Sequence, residues 1–252
     1  MTKILICGAG GKMGRVIASI AKDRKDIKII GGVDKFADST DFDFPVFKNF
    51  DKFKSIECDC LIDFSRPDAL SEILNFCENM KCGAVLATTG YTDAQKQQIN
   101  AASKKIAIFQ SFNMSLGINL LSDLINRAAN FLGDDFDIEI IEKHHSQKVD
   151  APSGTAYMLA DSAASAFKNG KKYVYDRHNI STKRDTNEIG ISSVRGGNIV
   201  GEHEVMFIGR DETITLSHKA ASKEIFALGA VKAAIFLKGK KAGKYDMSNL
   251  TK

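Results

Sequence analysis

Short apolar runs alternate with segments of helical period along the first half of the chain. Residues 4–7, 27–33, 58–64, 84–88 and 106–109 read as strands, and 13–21, 68–80 and 93–104 as helices between them. That rhythm predicts a parallel sheet with crossover helices. Pro67 near a first turn and the Thr92-Asp93 pair mark helix starts, since either can serve exposed backbone N–H groups. Beyond about residue 115 the pattern changes to a helix over 119–132, a strand over 137–141 and a helix over 155–167. Segments 189–194, 199–207 and 213–218 then alternate in polarity, with Gly209-Arg210-Asp211-Glu212 as a hairpin turn between the last two. A second, mixed or antiparallel sheet follows. The polar stretch 168–188, rich in Lys, Asn and Asp, predicts a mobile loop. Residues 222–237 are helical again and would return to pack on the first domain.

At 252 residues, 44% hydrophobic and 26% charged, the chain is an ordinary globular protein of one or two domains. The net charge of +4 comes from scattered Lys and Arg, which suits anionic small molecules better than a nucleic-acid backbone. Five cysteines without paired C-x-x-C spacing read as reduced, mostly buried thiols rather than a zinc site. The first apolar stretch is too short for a signal peptide, and no apolar run reaches membrane-helix length. The expectation is a cytoplasmic protein with neither nucleic acid nor membrane as partner.

Between the first strand and the first helix lies Gly8-Ala9-Gly10-Gly11-Lys12-Met13-Gly14. Such a turn lets backbone approach a pyrophosphate, and the helix N-terminus adds free N–H groups and partial positive charge. The spacing of Gly8, Gly11 and Gly14 is G-x-x-G-x-x-G rather than G-x-G-x-x-G, so context carries the reading. Asp34 ends the second strand, where a carboxylate accepts bonds from ribose hydroxyls, and the adjacent Lys35 suits a 2′-phosphate. The pair accommodates NADH or NADPH. Thr88-Thr89-Gly90 reads equally as a strand-ending turn or a cofactor contact.

The densest chemistry lies in the segment 139–156, which holds His144, His145, Lys148 and the turn Ser153-Gly154-Thr155 ahead of a helix. An imidazole titrates near neutrality and can deliver a proton to a developing carbanion or enamine. Lys148 would favour negative charge on a substrate and hold a carboxylate, and the turn's hydroxyls and N–H groups could meet a second anionic group. Metal binding is the alternative for a His-His pair. Neighbouring residues rarely face one ion, however, and no carboxylate or thiol cluster completes a site, so no metal is expected.

The run Glu139 to Ala156 resembles the signature E-x-x-E-x-H-H-x-x-K-x-D-x-P-S-G-T-A of the dihydrodipicolinate reductase family. Gly8 to Gly14, Asp63-Phe64-Ser65-Arg66-Pro67, Thr88-Thr89-Gly90, Val194-Arg195-Gly196-Gly197, Gly201-Glu202-His203 and His218-Lys219-Ala220 resemble its other blocks in the same order. The resemblance implies an α/β fold: a Rossmann-like dinucleotide domain over 1–114 and 222–252, with an α+β substrate and tetramerisation domain over 115–221. Hinges would lie near Ser115 and Ala221. It further implies hydride transfer from NADH or NADPH to C4 of the unsaturated cyclic imine derived from 4-hydroxy-tetrahydrodipicolinate, then protonation at the neighbouring carbon, in diaminopimelate and lysine biosynthesis.

Carried over by resemblance, His144 is the general acid and Lys148 the substrate-activating lysine; His145, Ser153, Gly154, Thr155 and Lys223 meet the dicarboxylate substrate. By the same resemblance, Gly8, Gly11, Lys12, Met13, Asp34, Lys35, Thr88, Gly90, Ser111, Asn113 and Met114 would contact the cofactor. The chain departs from the family at Ser146 and Gln147, where many members carry a third histidine or an arginine, and at Lys223, where an arginine is usual. A lysine cannot form the same bidentate fork. The rival readings are a semialdehyde dehydrogenase-like enzyme, which needs a reachable cysteine nucleophile, and a non-catalytic NAD(H)-sensing regulatory protein, which leaves His144 and Lys148 unexplained.

Overall fold

A computed structural model describes residues 1–36 and 41–250; positions 251–252, at the end of the span expected for the first domain, lie outside the described residues. The chain divides into two compact units, Met1–Leu116 with Glu224–Lys252, and Gly117–Lys223.

The first unit is built on strands β1 (Thr2–Cys7), β2 (Ile27–Val33), β3 (Val46–Phe47), β4 (Cys60–Asp63), β5 (Gly83–Leu86), β6 (Ala107–Gln110) and β12 (Gly243–Tyr245). They form one parallel sheet in the order β12-β6-β5-β4-β1-β2-β3. Successive side chains of a strand point to opposite faces, and here both faces are apolar. Ile4, Ile6, Ile62 and Val85 pack with Ile17 of α1 (Lys12–Lys22) and with Ala230, Val231 and Ala234 of α6 (Glu224–Leu237). Leu5, Leu61, Ala84 and Leu86 pack against Ile73 and Cys77 of α2 (Leu70–Met80) and Ile99 of α3 (Asp93–Ala102). The expected parallel sheet with crossover helices is therefore present, covered on both faces, and the C-terminal helix supplies half of one cover. Gly229 is what lets α6 close in: a Cβ there would stand 1.7 Å from the Met114 carbonyl oxygen. Thr92 caps α3 as expected, in a capping box with Gln95.

The second unit carries β7 (Asp137–His144), β8 (Lys172–Val174), β9 (Glu188–Arg195), β10 (Gly201–Ile208) and β11 (Thr213–Ala220), ordered β11-β10-β7-β9-β8. It is mixed: β10 runs antiparallel to β7 and β11, whereas β7, β9 and β8 are mutually parallel. The Gly209 N–H bonds to the Glu212 carbonyl at 2.9 Å, closing the expected hairpin turn. Helices α4 (Leu116–Leu132) and α5 (Gly154–Ala164) pack Ile118, Leu121, Ile125, Leu159 and Ala160 onto Ile138, Ile140, Ile191, Val205 and Phe207.

The stretch 168–188 differs from the mobile loop expected. Its residues Lys172–Val174 form the edge strand β8, and Arg184 ties the rest to β7 through Asp137 (2.7 Å), Glu139 (3.1 Å) and the Ile138 carbonyl (3.0 Å). A three-residue strand among charged residues leaves no readable period, and the clamp joins residues 47 positions apart.

Candidate active site

In the first unit the glycine turn lies at the C-terminal end of β1, the central strand from which the chain order departs in both directions, as ligand crevices of open parallel sheets do. Gly8 has φ +80, and a Cβ on it would meet the Phe64 carbonyl oxygen at 2.7 Å. Only glycine fits there. Gly11 is the N-cap of α1 and offers no side-chain cap, so the helix N-terminus is open to an anion. Gly8, Gly11, Asp34 and Lys35 line one cleft of about 470 Å³, together with Arg66 and Phe64. These residues fit a nicotinamide dinucleotide: bare backbone for phosphates, then an acid and a cation at the next strand's end. Asp34 also braces the turn, accepting the Gly10 N–H at 2.9 Å and the Phe36 N–H at 2.9 Å.

The remaining sequence-derived cofactor residues are more spread out. Lys12 and Met13 occupy the first turn of α1. Thr88 lines an adjoining cleft of about 330 Å³ with Phe64, Ser65 and Arg66, and Gly90 follows in a left-handed conformation at φ +82. Ser111 and Asn113 bond to each other beyond β6, through the Ser111 hydroxyl to the Asn113 carbonyl at 2.9 Å. The Met114 side chain is buried in the sheet's core rather than presented at the surface.

Glycine turn and acid were legible. In the second unit the geometry adds residues that sequence reasoning left without a role. The buried face of β7 runs Ile138, Ile140, Glu142, His144, so the inward-pointing series turns from apolar to ionisable at the strand's last two positions. Glu142 is fully buried, at 0% exposure. Its Oε2 lies 2.5 Å from His144 Nδ1. Arg195, at the end of β9, grips both oxygens, Nη1 to Oε2 at 2.8 Å and Nη2 to Oε1 at 2.7 Å. Oε1 also accepts the Ser153 backbone N–H at 3.1 Å. Ser153 caps α5, its hydroxyl accepting from the Ala156 N–H at 3.1 Å and meeting His203 Nε2 at 3.1 Å. His203 pairs in register with Glu142, and its ring stands edge-to-face with His144 at 5.2 Å. Alternation along β7 was the available signal for Glu142; Arg195 and His203 depend on strand register, which local sequence does not carry.

The electrostatics follow from burial and partners. Burial acts to raise the Glu142 pKa, yet Arg195 and His144 outweigh it and hold the carboxylate at about 2. Burial pushes His144 below its ordinary value, against the pull of Glu142, and pushes His203 down to about 4. Lys148 is paired with Asp150, at 2.7 and 2.8 Å, and its charge acts on His144. His145 is half-buried beside His144, whereas Gly154 and Lys223 are exposed. No Cβ on Gly154 would meet another atom within 4 Å.

All five cysteines are free and buried, as expected, and burial raises the Cys7 and Cys60 thiols well above the ordinary range. None is a candidate nucleophile, which removes the ground for a semialdehyde dehydrogenase. No helix among the described residues is long and apolar enough to cross a membrane.

A glycine-turn parallel sheet and a mixed-sheet unit with a buried histidine–carboxylate pair define a two-unit reductase that uses a nicotinamide dinucleotide. Residues 2–114 match the family model for dihydrodipicolinate reductase, N-terminus, and residues 117–251 that for dihydrodipicolinate reductase, C-terminus. The chain belongs to the dihydrodipicolinate reductase family. It is 49% identical over 247 residues to 4-hydroxy-tetrahydrodipicolinate reductase of Clostridium tetani, covering 98% of this chain and 96% of the relative. Identity to the same enzyme of Caldanaerobacter subterraneus subsp. tengcongensis is 46% over 252 residues, covering 100% and 99%. Dipicolinate-bound dihydrodipicolinate reductase from Paenisporosarcina sp. TG-14 superposes with TM-score 0.83 at 26% identity, over 99% of both chains. A probable dehydrogenase from Thermotoga maritima shares the fold, with TM-score 0.61 at 12% identity over 98% of this chain and 92% of the other.

Proposed function

We propose that this chain reduces the unsaturated cyclic imine dicarboxylate derived from 4-hydroxy-tetrahydrodipicolinate, yielding tetrahydrodipicolinate for diaminopimelate and lysine synthesis. The observation that carries this reading is the gathering of His144 and the Ser153 cap around one buried carboxylate at the end of β7, with the charge of Lys148 acting on the same imidazole. The nicotinamide cofactor, NADH or NADPH, supplies the hydride. The chain's own residues hold the substrate and manage the proton. His144 delivers a proton from Nε2 to the carbon next to the reduced centre, while Lys148 stabilises the negative charge that develops there. Lys148 exchanges Asp150 for a substrate carboxylate on binding. The N–H groups at the start of α5, Gly154 and Thr155 among them, hold the second carboxylate, with His145 and Lys223 completing the substrate contacts. Family resemblance further supports a cytoplasmic homotetramer assembled through the second unit.

The direct test is turnover with freshly generated substrate, followed as loss of reduced-nicotinamide absorbance with each cofactor. Dinucleotide binding without turnover would point to the regulatory reading instead. The dicarboxylate clamp gives a second test: pyridine-2,6-dicarboxylate is expected to compete with substrate, and pyridine-2-carboxylate to bind at least tenfold more weakly. Losing one charge-assisted contact is worth about 1.5–3 kcal/mol. Equal inhibition by both would sink the clamp.

For the cofactor, Lys35→Ala is expected to weaken NADPH more than NADH, by about 1 kcal/mol or more. Asp34→Ala is expected to weaken NADH more, on top of a loss common to both cofactors because its carboxylate braces the Gly10 N–H. Titrations in which Lys35→Ala affects both cofactors equally would show that this loop does not meet the ribose.

A further inference from the structure

We infer that Glu142 is a positioning residue for the proton transfer, holding the donor imidazole and the anion-binding turn with the two oxygens of a single carboxylate. The inference rests on His144 being the proton donor. Position 142 continues the apolar series Ile138, Ile140 on the buried face of β7, where an aliphatic side chain would pack without any electrostatic cost. A carboxylate at that place, fully buried, calls for a role that an aliphatic residue cannot fill.

Its contacts define the role. Oε2 faces His144 Nδ1 and Arg195 Nη1; Oε1 faces Arg195 Nη2 and the Ser153 N–H. Four donors thus satisfy both oxygens. An ionised carboxylate accepts and cannot donate, so the neutral His144 ring must carry its hydrogen on Nδ1. Nε2 is then the nitrogen that gains and gives the catalytic proton. Room for that exchange exists because residue 201 is glycine: a Cβ there would stand 3.1 Å from His144 Nε2.

The other oxygen reaches the turn. By accepting the Ser153 N–H, Oε1 fixes the residue that caps α5, whose first N–H groups face the proposed carboxylate. A second path joins the same two places, from the Ser153 hydroxyl to His203 Nε2 and from the His203 ring, edge-on, to His144. The charged and titratable groups acting on His144 are Glu142 on its own strand, Arg195 on β9, Lys148 in the following loop and His203 on β10. Arg195 offsets much of the Glu142 charge, so the carboxylate's principal effect is orientation and tautomer rather than a strongly basic imidazole.

The test is nitrogen NMR of histidine-labelled protein, free of ligand, combined with pH profiles of kcat and kcat/KM. In the native protein the neutral His144 ring is expected to be protonated at Nδ1; a ring protonated at Nε2 would overturn the inference without any variant. Glu142→Gln is isosteric but can offer either an oxygen or an NH2 to the ring. It is expected to populate the Nε2-protonated tautomer, move the falling limb of kcat/KM to lower pH, and lower kcat at least tenfold, with cofactor affinity unchanged. Substrate KM is expected to rise several-fold as the Ser153 turn loosens. Arg195→Lys keeps the charge without the fork, and is expected to retain the Nδ1 tautomer. It supplies the comparison should Glu142→Gln fail to fold. If His144→Gln is as active as the native protein, the functional reading fails. If His144→Gln is impaired while Glu142→Gln leaves tautomer and limb in place, the reading stands and the positioning role falls.

Discussion

Replacing His144 with glutamine is expected to lower kcat by about 10² to 10⁴, the usual worth of a positioned general acid. Cofactor affinity should hardly change, because His144 is not among the residues that line the dinucleotide cleft. Loss of a group that acts in the transition state lowers kcat and kcat/KM together, whereas loss of a uniform binding contact raises KM alone. His145→Gln should therefore mainly raise KM. Lys148→Ala should show both effects, since the same ammonium holds a ground-state carboxylate and the developing charge. The pH dependence has a definite sign. Burial displaces the His144 pKa downward from 6.5, so in the free protein the imidazolium is lost as pH rises through a value below 6.5, and kcat/KM declines across that range. A bound dianion acts in the opposite sense, so the limb in kcat should lie at higher pH than that in kcat/KM. Steady-state profiles of the native protein and of the His144 and His145 variants decide the matter: if His145→Gln loses kcat and His144→Gln does not, the acid is the other imidazole.

The sequence was most legible where local chemistry and local structure coincide. Fully apolar strands such as Ile4–Leu5–Ile6 mark a sheet covered on both faces, and Thr92 and Ser153 announce their helices by capping. The glycine turn and Asp34 stand in strand-to-helix context, which is a local property. What stayed hidden was short or non-local. The two- and three-residue strands Val46–Phe47, Lys172–Val174 and Gly243–Tyr245 are edge or near-edge pieces defined by their neighbours, not by any period of their own. The same holds within the site. His144 and Lys148 share one segment and could be read from it, but the partner that makes Glu142 tolerable is Arg195, 53 residues away and brought near only by the β7–β9 register. Met114, a cofactor candidate by resemblance alone, has its side chain buried in the core.

Arg195→Ala is expected to destabilise the second unit by about 3–5 kcal/mol near pH 7, the range for removing one partner from a buried ion pair. The cost arises because Glu142, at 0% exposure, would be left charged with no cation beside it. Its pH dependence distinguishes this from simple loss of packing. In the native protein burial tends to raise the Glu142 pKa, but Arg195 and His144 hold it at about 2, below its ordinary 4.5. A depressed folded-state pKa contributes stability that is complete above the ordinary carboxylate value and is lost as pH falls toward the folded value. Between about pH 4.5 and 2 the native protein should therefore lose this contribution, while Arg195→Ala, which lacks the Arg195 part of it and keeps only what His144 supplies, should lose less. The difference in urea midpoint between the two proteins should shrink as pH drops through that window, and a constant difference would contradict the ion-pair account. Replacing both partners, Glu142→Leu with Arg195→Met, should restore stability to near the native level or above it, since well-packed apolar pairs often match or exceed buried ion pairs. The same double variant should lose kcat, because nothing then fixes the proton on His144 Nδ1. Recovered stability with absent activity would show that the pair is retained for what it does to the imidazole rather than for the strength of the fold.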